Sequence, residues 1–417
     1  MYGLALEGGG AKGAYHMGAI KAFLECGYEF GGITGTSIGA LNAAVVVQGD
    51  FENGYKLWEN LDPTQLFDIE KEEYEKLINK EISKEVIKEL FLKFKKVIKN
   101  KGINRSKMRS LISGIIDEQK LRSSKKDLGL VTVSLSDRKP VEVFKEDIPN
   151  GKLVDYLMAS SGLPGFKLEP MEGKYYIDGG FYDNCPINLL ARKGYKDIIA
   201  IKTGAIGLKQ KIKYDNINVI EITPSENLGG IINFNNNLIR RNLKMGYFDA
   251  MKHIKCLHGK KYYVTPVKEE TVFKMLSQIP DELIIQIGEL WGIADVPPKR
   301  MLFEKIIPTL ATRIKAQSCE TYQDILLRLA EITAQRFAID RFRIFSFEDF
   351  LMEINKSSFL NDKKNNESIK TEIINEFSKL NLLTDTAIMI INSIVNNTAV
   401  QFAYKHQMSQ YCLKFEK

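Results

Sequence analysis

The sequence predicts an α/β fold, a mostly parallel sheet covered by helices in a three-layer α/β/α arrangement, followed by an α-helical domain. Three observations carry this. Strand-like and helix-like patterns alternate through the first half of the chain. Two glycine-rich strand-to-helix turns fall within the first 40 residues. From about residue 267 glycine becomes scarce and apolar residues recur at helical spacing.

The first residues are strand-like and run into GGGAKG, with a helix-like pattern at once after it. Glycines at such a turn let the backbone come close to something negative. That is either a bound phosphate or an oxygen that gains charge during a reaction. Gly8, Gly10 and Gly13 fit G-x-G-x-x-G, but the next strand-like run, near Gly32 to Thr34, ends in GTSIG. The carboxylate that a dinucleotide site needs at that strand end is missing. A Walker loop is excluded, because Ala14 and Tyr15 follow Gly13 where Lys-Ser/Thr would stand. Gly35-Thr36-Ser37-Ile38-Gly39 is G-x-S-x-G, followed by the helix-like ALNAAVVVQG. Such a pentapeptide can place a serine on a sharp strand-to-helix turn, with Gly35 and Gly39 relieving the crowding. One glycine turn would then hold a nucleophile, and the other would donate N–H groups to the oxyanion of acyl attack.

A serine nucleophile needs a base. The four histidines are His16, His253, His258 and His406, and none stands in a glycine turn after a strand. Each reads as a surface or structural residue. Asp178 is the other candidate, between the aromatic strand Tyr175, Tyr176, Ile177 and the pair Gly179-Gly180. A partly buried carboxylate there would be the stronger base for its raised pKa. The plain alternative is an aspartate that caps the turn.

The remaining elements follow in order. Residues 51 to about 127 read as a polar helical insertion over the site. LGLVTVSLSDRKPVEVFK (128–145) alternates like two strands joined by Ser-Asp-Arg-Lys. A helix is expected over Val154 to Ser160, then the Asp178 turn, then buried strands in KDIIAIKTG and INVIEITP. Ser37 and Asp178 both fall at strand C-terminal ends, where such sheets place their sites. The helical domain is expected over 267–417, with a polar break at SSFLNDKKNNES (357–368) and a buried helix in TDTAIMIINSIVNNTAV (384–400).

The glycine loop, the G-x-S-x-G turn and Asp178-Gly179-Gly180, in that order, resemble the patatin-like phospholipase family. ASSGLPGF (Ala159 to Phe166), Asn184-x-Pro186 and GYFDAMK (Gly246 to Lys252) add to the likeness, which spans roughly residues 1 to 260. The resemblance implies a patatin-like domain over 1–266 and a Ser37–Asp178 dyad without a catalytic histidine. It implies an oxyanion hole from Gly8, Gly9, Gly10, Ala11, Lys12 and Gly13. Lys12 either adds positive charge near a lipid phosphate or is solvated at the helix start. The implied activity is hydrolysis of fatty-acyl esters of phospholipids or related lipids, with no cofactor, metal or calcium. The alternative is a binding module with a silent or conditionally active hydrolase site, gated by a protein or small-molecule activator through the C-terminal helices.

Charge and cysteines bound the partners. Residues 71–126 hold 17 Lys/Arg against 8 Asp/Glu, a larger excess than the whole chain's +7. Within them KELFLKFKKVIKNK reads as a basic amphipathic helix with Phe91 and Phe94 on its apolar face and Lys95 and Lys96 beside it. That suits an anionic membrane surface, or an ordinary packed helix with solvated lysines. Nucleic acid is the poorer partner, because no binding motif is present. Five widely spaced cysteines without C-x-x-C favour a reducing compartment. With no signal-peptide pattern and no run of about 18 apolar residues, the expectation is a cytoplasmic protein that touches membranes from that side. Leaderless export would leave the same sequence.

Overall fold

The computed structural model describes residues 1–63, 66, 104–163, 166–293, 296–365 and 381–397. The chain divides into two compact units, Met1–Ile254 and Lys255–Lys417. The division falls earlier than 266/267 because Tyr263–Val264 pairs with Ile344–Phe345, which joins the intervening segment to the helices that follow it.

In the first unit the strands are β1 (Tyr2–Leu6), β2 (Phe30–Thr36), β3 (Asp127–Ser134), β4 (Lys139–Phe144), β5 (Tyr176–Asp178), β6 (Asp197–Ile201) and β7 (Asn218–Ile222). The helices are α1 (Ala14–Glu25), α2 (Ile38–Val47), α3 (Phe51–Glu59), α4 (Ser106–Ile115), α5 (Glu118–Ser123), α6 (Leu153–Ser160), α7 (Ile187–Arg192) and α8 (Asn236–Ile254). Seven strands form one mixed, mostly parallel sheet in the order β4-β3-β2-β1-β6-β7, with β5 also on β3. The inner strands are mostly apolar, as befits strands buried on both faces, with Thr34, Thr36 and Thr132 among the buried polar exceptions. Ala5, Ile198 and Ala200 pack with Ile187 and Leu190 of α7 on one face. Their alternates Leu4, Leu6, Ile199 and Ile201 are equally buried on the other. Helix α8 packs along α1, where the Tyr15 hydroxyl donates to Asp249 (3.0 Å).

One pairing detail positions the site. β2 runs parallel to β3 and ends with Thr36 opposite Val131. β5 runs antiparallel to β3 and ends with Asp178 opposite Thr132. The far edge of β3 over this stretch is taken by β4. So β2 and β5 arrive from opposite directions on one edge and meet end to end between two consecutive residues of β3.

The second unit is helical around one core. Val272, Ile284, Ile306, Leu326, Phe350 and Ile391 each come from a different helical segment of it. The expected polar break at 357–368 is helical as far as Asn365, and 366–368 lie outside the described residues. Phe347–Asn365 is one helix, whose Phe350, Leu351 and Ile354 are buried while its polar residues continue the same helical turn. The expected buried helix near 384–400 is present over 381–397, with Leu383, Ala387 and Ile390 inside. Among the described residues no helix is long and apolar enough to cross a membrane.

Candidate active site

Ser37 leaves β2 at φ 57°, ψ −126° and begins α2. A serine in that region costs about 1–3 kcal/mol, so its surroundings must hold it there. Gly35 and Gly39 make room: a Cβ at Gly35 would lie 2.2 Å from the Gly39 carbonyl carbon, and one at Gly39 would lie 2.3 Å from the Leu6 oxygen. Ser160, at the end of α6, supplies the hold. Its hydroxyl accepts the Ser37 N–H (2.9 Å) and donates to the Val131 carbonyl (2.7 Å), locking the turn to β3.

Asp178 is 2% exposed. Its Oδ1 accepts the Gly180 N–H (2.8 Å), from the single helical turn Gly179–Phe181. Among the described residues its Oδ2 has no hydrogen-bond partner. Burial pushes its carboxyl up to about 6, against the opposing pull of the Ser37 hydroxyl, the Gly180 N–H and the Arg105 charge. The Ser37 hydroxyl is thus near enough to stabilise the carboxylate, short of a formed hydrogen bond. Arg105 is itself buried at the start of α4. It donates to the carbonyls of Met158 (2.8 Å) and Lys167 (3.3 Å), so the end of α6 and a charge facing Asp178 are fixed by one side chain.

The glycine loop divides by the use of its N–H groups. Gly8 donates to the Asn184 carbonyl (2.9 Å), Ala11 to that of Ile231 (2.8 Å) and Lys12 to that of Gly9 (3.2 Å). Gly13 leads into α1, and its carbonyl accepts from Asn42 (2.9 Å). No described acceptor takes the N–H of Gly9 or Gly10, and Gly10 lines the same cleft as Ser37. No described acceptor takes the N–H of Ile38 either, at the N-terminus of α2, and Ile38 lines that cleft. Gly10 has φ 55°, and a Cβ there would sit 2.0 Å from the Ile231 oxygen. Gly10→Ala is therefore expected to displace the loop, lowering acyl-ester turnover about 100-fold in steady-state kinetics. The Lys12 ammonium turns to the Gly204 carbonyl (3.5 Å) and is absent from the cleft lining, and burial lowers its pKa. Beneath the loop the buried Glu7 accepts the N–H groups of Thr203 and Gly204 and meets Lys209 (2.7 Å).

The cleft is walled almost wholly by apolar side chains. Ile38, Leu41 and Val45 form one stripe of α2, faced by Trp58, Met108 and Ile112. Gln48, buried just past α2, donates to the Ile115 carbonyl (2.8 Å) and accepts the Asp117 N–H (3.1 Å). It thereby pins Ile115 and Ile116 across the end remote from Ser37.

His16 is fully buried in α1 beside Asn42 (3.3 Å), and burial drops its pKa to about 3, so it stays neutral. His253 lies near the end of α8, and His258 meets Gln323 (3.0 Å) in the second unit. His406, and the expected membrane-contact residues Phe91, Phe94, Lys95 and Lys96, lie outside the described residues. Among the described residues no cluster of His, Cys, Asp or Glu is placed to hold a metal ion.

Residues 4–191 match the family model of patatin-like phospholipase. Patatin-like phospholipase domain-containing protein 7 of Rattus norvegicus is 27% identical over 212 residues, 48% of this chain and 13% of that protein. Neuropathy target esterase sws of Drosophila melanogaster is 26% identical over 214 residues, 49% of this chain and 13% of that protein. The chain thus matches only a small part of the length of these relatives. Among solved structures, VipD from Legionella pneumophila aligns over 94% of this chain and 90% of its own at 17% identity, with a TM-score of 0.39. The span of this chain that matches the patatin-like phospholipase family, residues 4–191, opens in β1 and closes in α7, and so takes in the glycine loop, the Ser37 turn and the Asp178 turn.

Proposed function

We propose that the protein hydrolyses fatty-acyl esters of phospholipids or related lipids, in the manner of a phospholipase A, through Ser37 and Asp178. The observation that supports the reading is the meeting of β2 and β5 on β3, which brings Asp178 near Ser37, itself a lining residue of an apolar cleft. Asp178 accepts the Ser37 proton as Oγ bonds to the ester carbonyl. The N–H groups of Gly9, Gly10 and Ile38 are the unspent donors available to the resulting oxyanion. Collapse expels the alcohol, which takes the proton from Asp178 and leaves an acyl-serine. Asp178 then deprotonates water, which attacks the acyl carbonyl, and the proton returns to Ser37 as the fatty acid departs.

The test is fatty-acid release from mixed phospholipid vesicles by wild type beside Ser37→Ala, read by mass spectrometry, with fluorophosphonate labelling of both. Release and labelling by wild type alone support the reading. Labelling without release points to the gated alternative, in which Lys255–Lys417 takes an activator. Absence of both refutes an active site.

The cleft also makes a prediction about chain length. Its α2 stripe reaches from Ser37 to Val45, about 12 Å at 1.5 Å per helical residue. An acyl chain laid along it meets the end wall that Gln48 holds. Val45→Phe is expected to shorten the run, removing room for about two methylenes at about 0.8 kcal/mol each. The ratio of kcat/KM for palmitoyl over octanoyl esters should fall about tenfold. An unmoved ratio would show that the chain takes another path.

A further inference from the structure

The segment between β6 and β7 carries a surface that the chemistry above does not use. In residues 202–217, Ile206, Leu208, Ile212 and Tyr214 are 49%, 58%, 49% and 39% exposed. Single exposed apolar side chains are ordinary, whereas four within nine residues mark a surface that meets something. Lys209, Lys211 and Lys213 are interleaved with them and exposed, and no acid occurs in the segment before Asp215. Lys209 is partly spent on Glu7 (2.7 Å), which leaves Lys211 and Lys213 as the cations facing outward.

This loop is tied down, so its apolar side chains are held out by its own backbone. The Leu208 N–H donates to the Gly180 carbonyl (2.8 Å), and the Leu208 carbonyl accepts the Asn184 N–H (2.7 Å). Gln210 donates to the Tyr182 carbonyl (2.8 Å). Asn188 of α7 donates to the Lys211 carbonyl (2.9 Å) and accepts the Lys213 N–H (2.9 Å). The loop thus rides on the turn that holds Asp178. It also leaves β6 at the C-terminal end of the parallel strands, where β1 and β2 release the glycine loop and Ser37.

Apolar side chains alternating with lysines, one of the exposed rings a tyrosine, match the headgroup boundary of an anionic bilayer. Apolar groups enter the acyl border there while ammonium groups meet lipid phosphates. A protein partner would more often be met by Arg and Trp at a packed centre than by interleaved lysines. We propose that residues 206–214 dock the protein on an anionic lipid bilayer and bring the Ser37 edge of the sheet to its surface. The proposal rests on the hydrolase reading for its purpose, and the test keeps the two apart.

Full-length protein is sedimented with vesicles of phosphatidylcholine alone and of phosphatidylcholine with phosphatidylglycerol in equal parts, at low and high salt. Wild type is expected to bind the mixed vesicles, to bind phosphatidylcholine far less and to be released by salt. Lys211→Glu with Lys213→Glu, and separately Ile206→Ser, Leu208→Ser and Ile212→Ser combined, should each lower partitioning at least about tenfold. Thermal melting reports the fold. If the triple variant does not fold, the single change Ile212→Ser carries the apolar arm at a few-fold loss. Wild type that ignores the mixed vesicles overturns the proposal and leaves the loop as a protein-contact surface. Variants that bind like wild type overturn it as well. Salt-sensitive binding lost in the variants, with wild type neither releasing fatty acid nor taking the fluorophosphonate label, supports docking and refutes the hydrolase reading.

Discussion

Ser37→Ala is expected to lower acyl-ester hydrolysis by at least about 1,000-fold while the protein stays folded, because the oxygen that would form the acyl intermediate is gone. Alanine shares serine's difficulty at φ 57°, so the turn keeps its strain and melting should move little. Ser37→Gly separates the two roles of the position. It removes the same oxygen but relaxes the turn, and should raise stability by about 1 kcal/mol while being equally inactive. Equal activity of wild type and Ser37→Ala on every ester would end the Ser37 mechanism. A Ser37→Gly protein less stable than wild type would show that the turn is held by something other than the contacts of Gly35, Gly39 and Ser160.

Asp178→Asn is expected to cost at least about 100-fold in turnover and to make the protein more stable at neutral pH. The carboxyl must be ionised to accept a proton, and burial has lifted it from 3.8 to about 6. Wild-type kcat/KM should therefore rise with pH along a limb centred near 6. The stability effect follows from the same shift. Between about pH 4 and 6 the folded protein still holds a proton that the unfolded chain has released, so stability falls as pH rises through this window. Above it the ionised, buried Asp178 costs on the order of 2–3 kcal/mol. Urea unfolding of wild type and Asp178→Asn should give similar stabilities near pH 4 and a gap favouring the variant near pH 7. Asp183 is also raised to about 6 by burial, and it cancels because both proteins carry it. A wild type more stable than Asp178→Asn at pH 7 would mean that the carboxylate is better compensated than its unpartnered Oδ2 indicates.

Legibility in the sequence followed the range of the forces. The Ser37 turn is written in five adjacent residues, and the β3–β4 hairpin in alternation and a short turn, so neighbours decide them. Asp178 stood out only by its glycine turn. What sets it near Ser37 is the shared edge of β3, a fact of pairing across some 140 residues of chain. The glycine loop shows the limit best. Six residues were candidates for donors, but Gly8 and Ala11 spend their N–H groups on Asn184 and Ile231. No local pattern reveals partners that far along the chain. Arg105 and Gln48 escaped notice for the same reason, and Ser160 had no role beyond its place in ASSGLPGF, each being an ordinary polar residue until the fold buries it beside a backbone group. The polar run after residue 357 begins within a helix, because polar composition alone does not end one: the helix continues to Asn365.

The central place of β1 has a consequence for how the protein must be made and cut. β1 carries the glycine loop, yet its partner β6 is translated about 190 residues later, roughly 10–40 s at ordinary ribosomal rates. Until then the hydrophobic strand Tyr2–Leu6 is at best paired on one side, an open edge on a nascent chain. A fragment ending at residue 191 would make that condition permanent, because β6 and β7 lie beyond it. Expression of the matched span alone should therefore yield aggregates, and the shortest fragment worth attempting runs through α8 to Ile254.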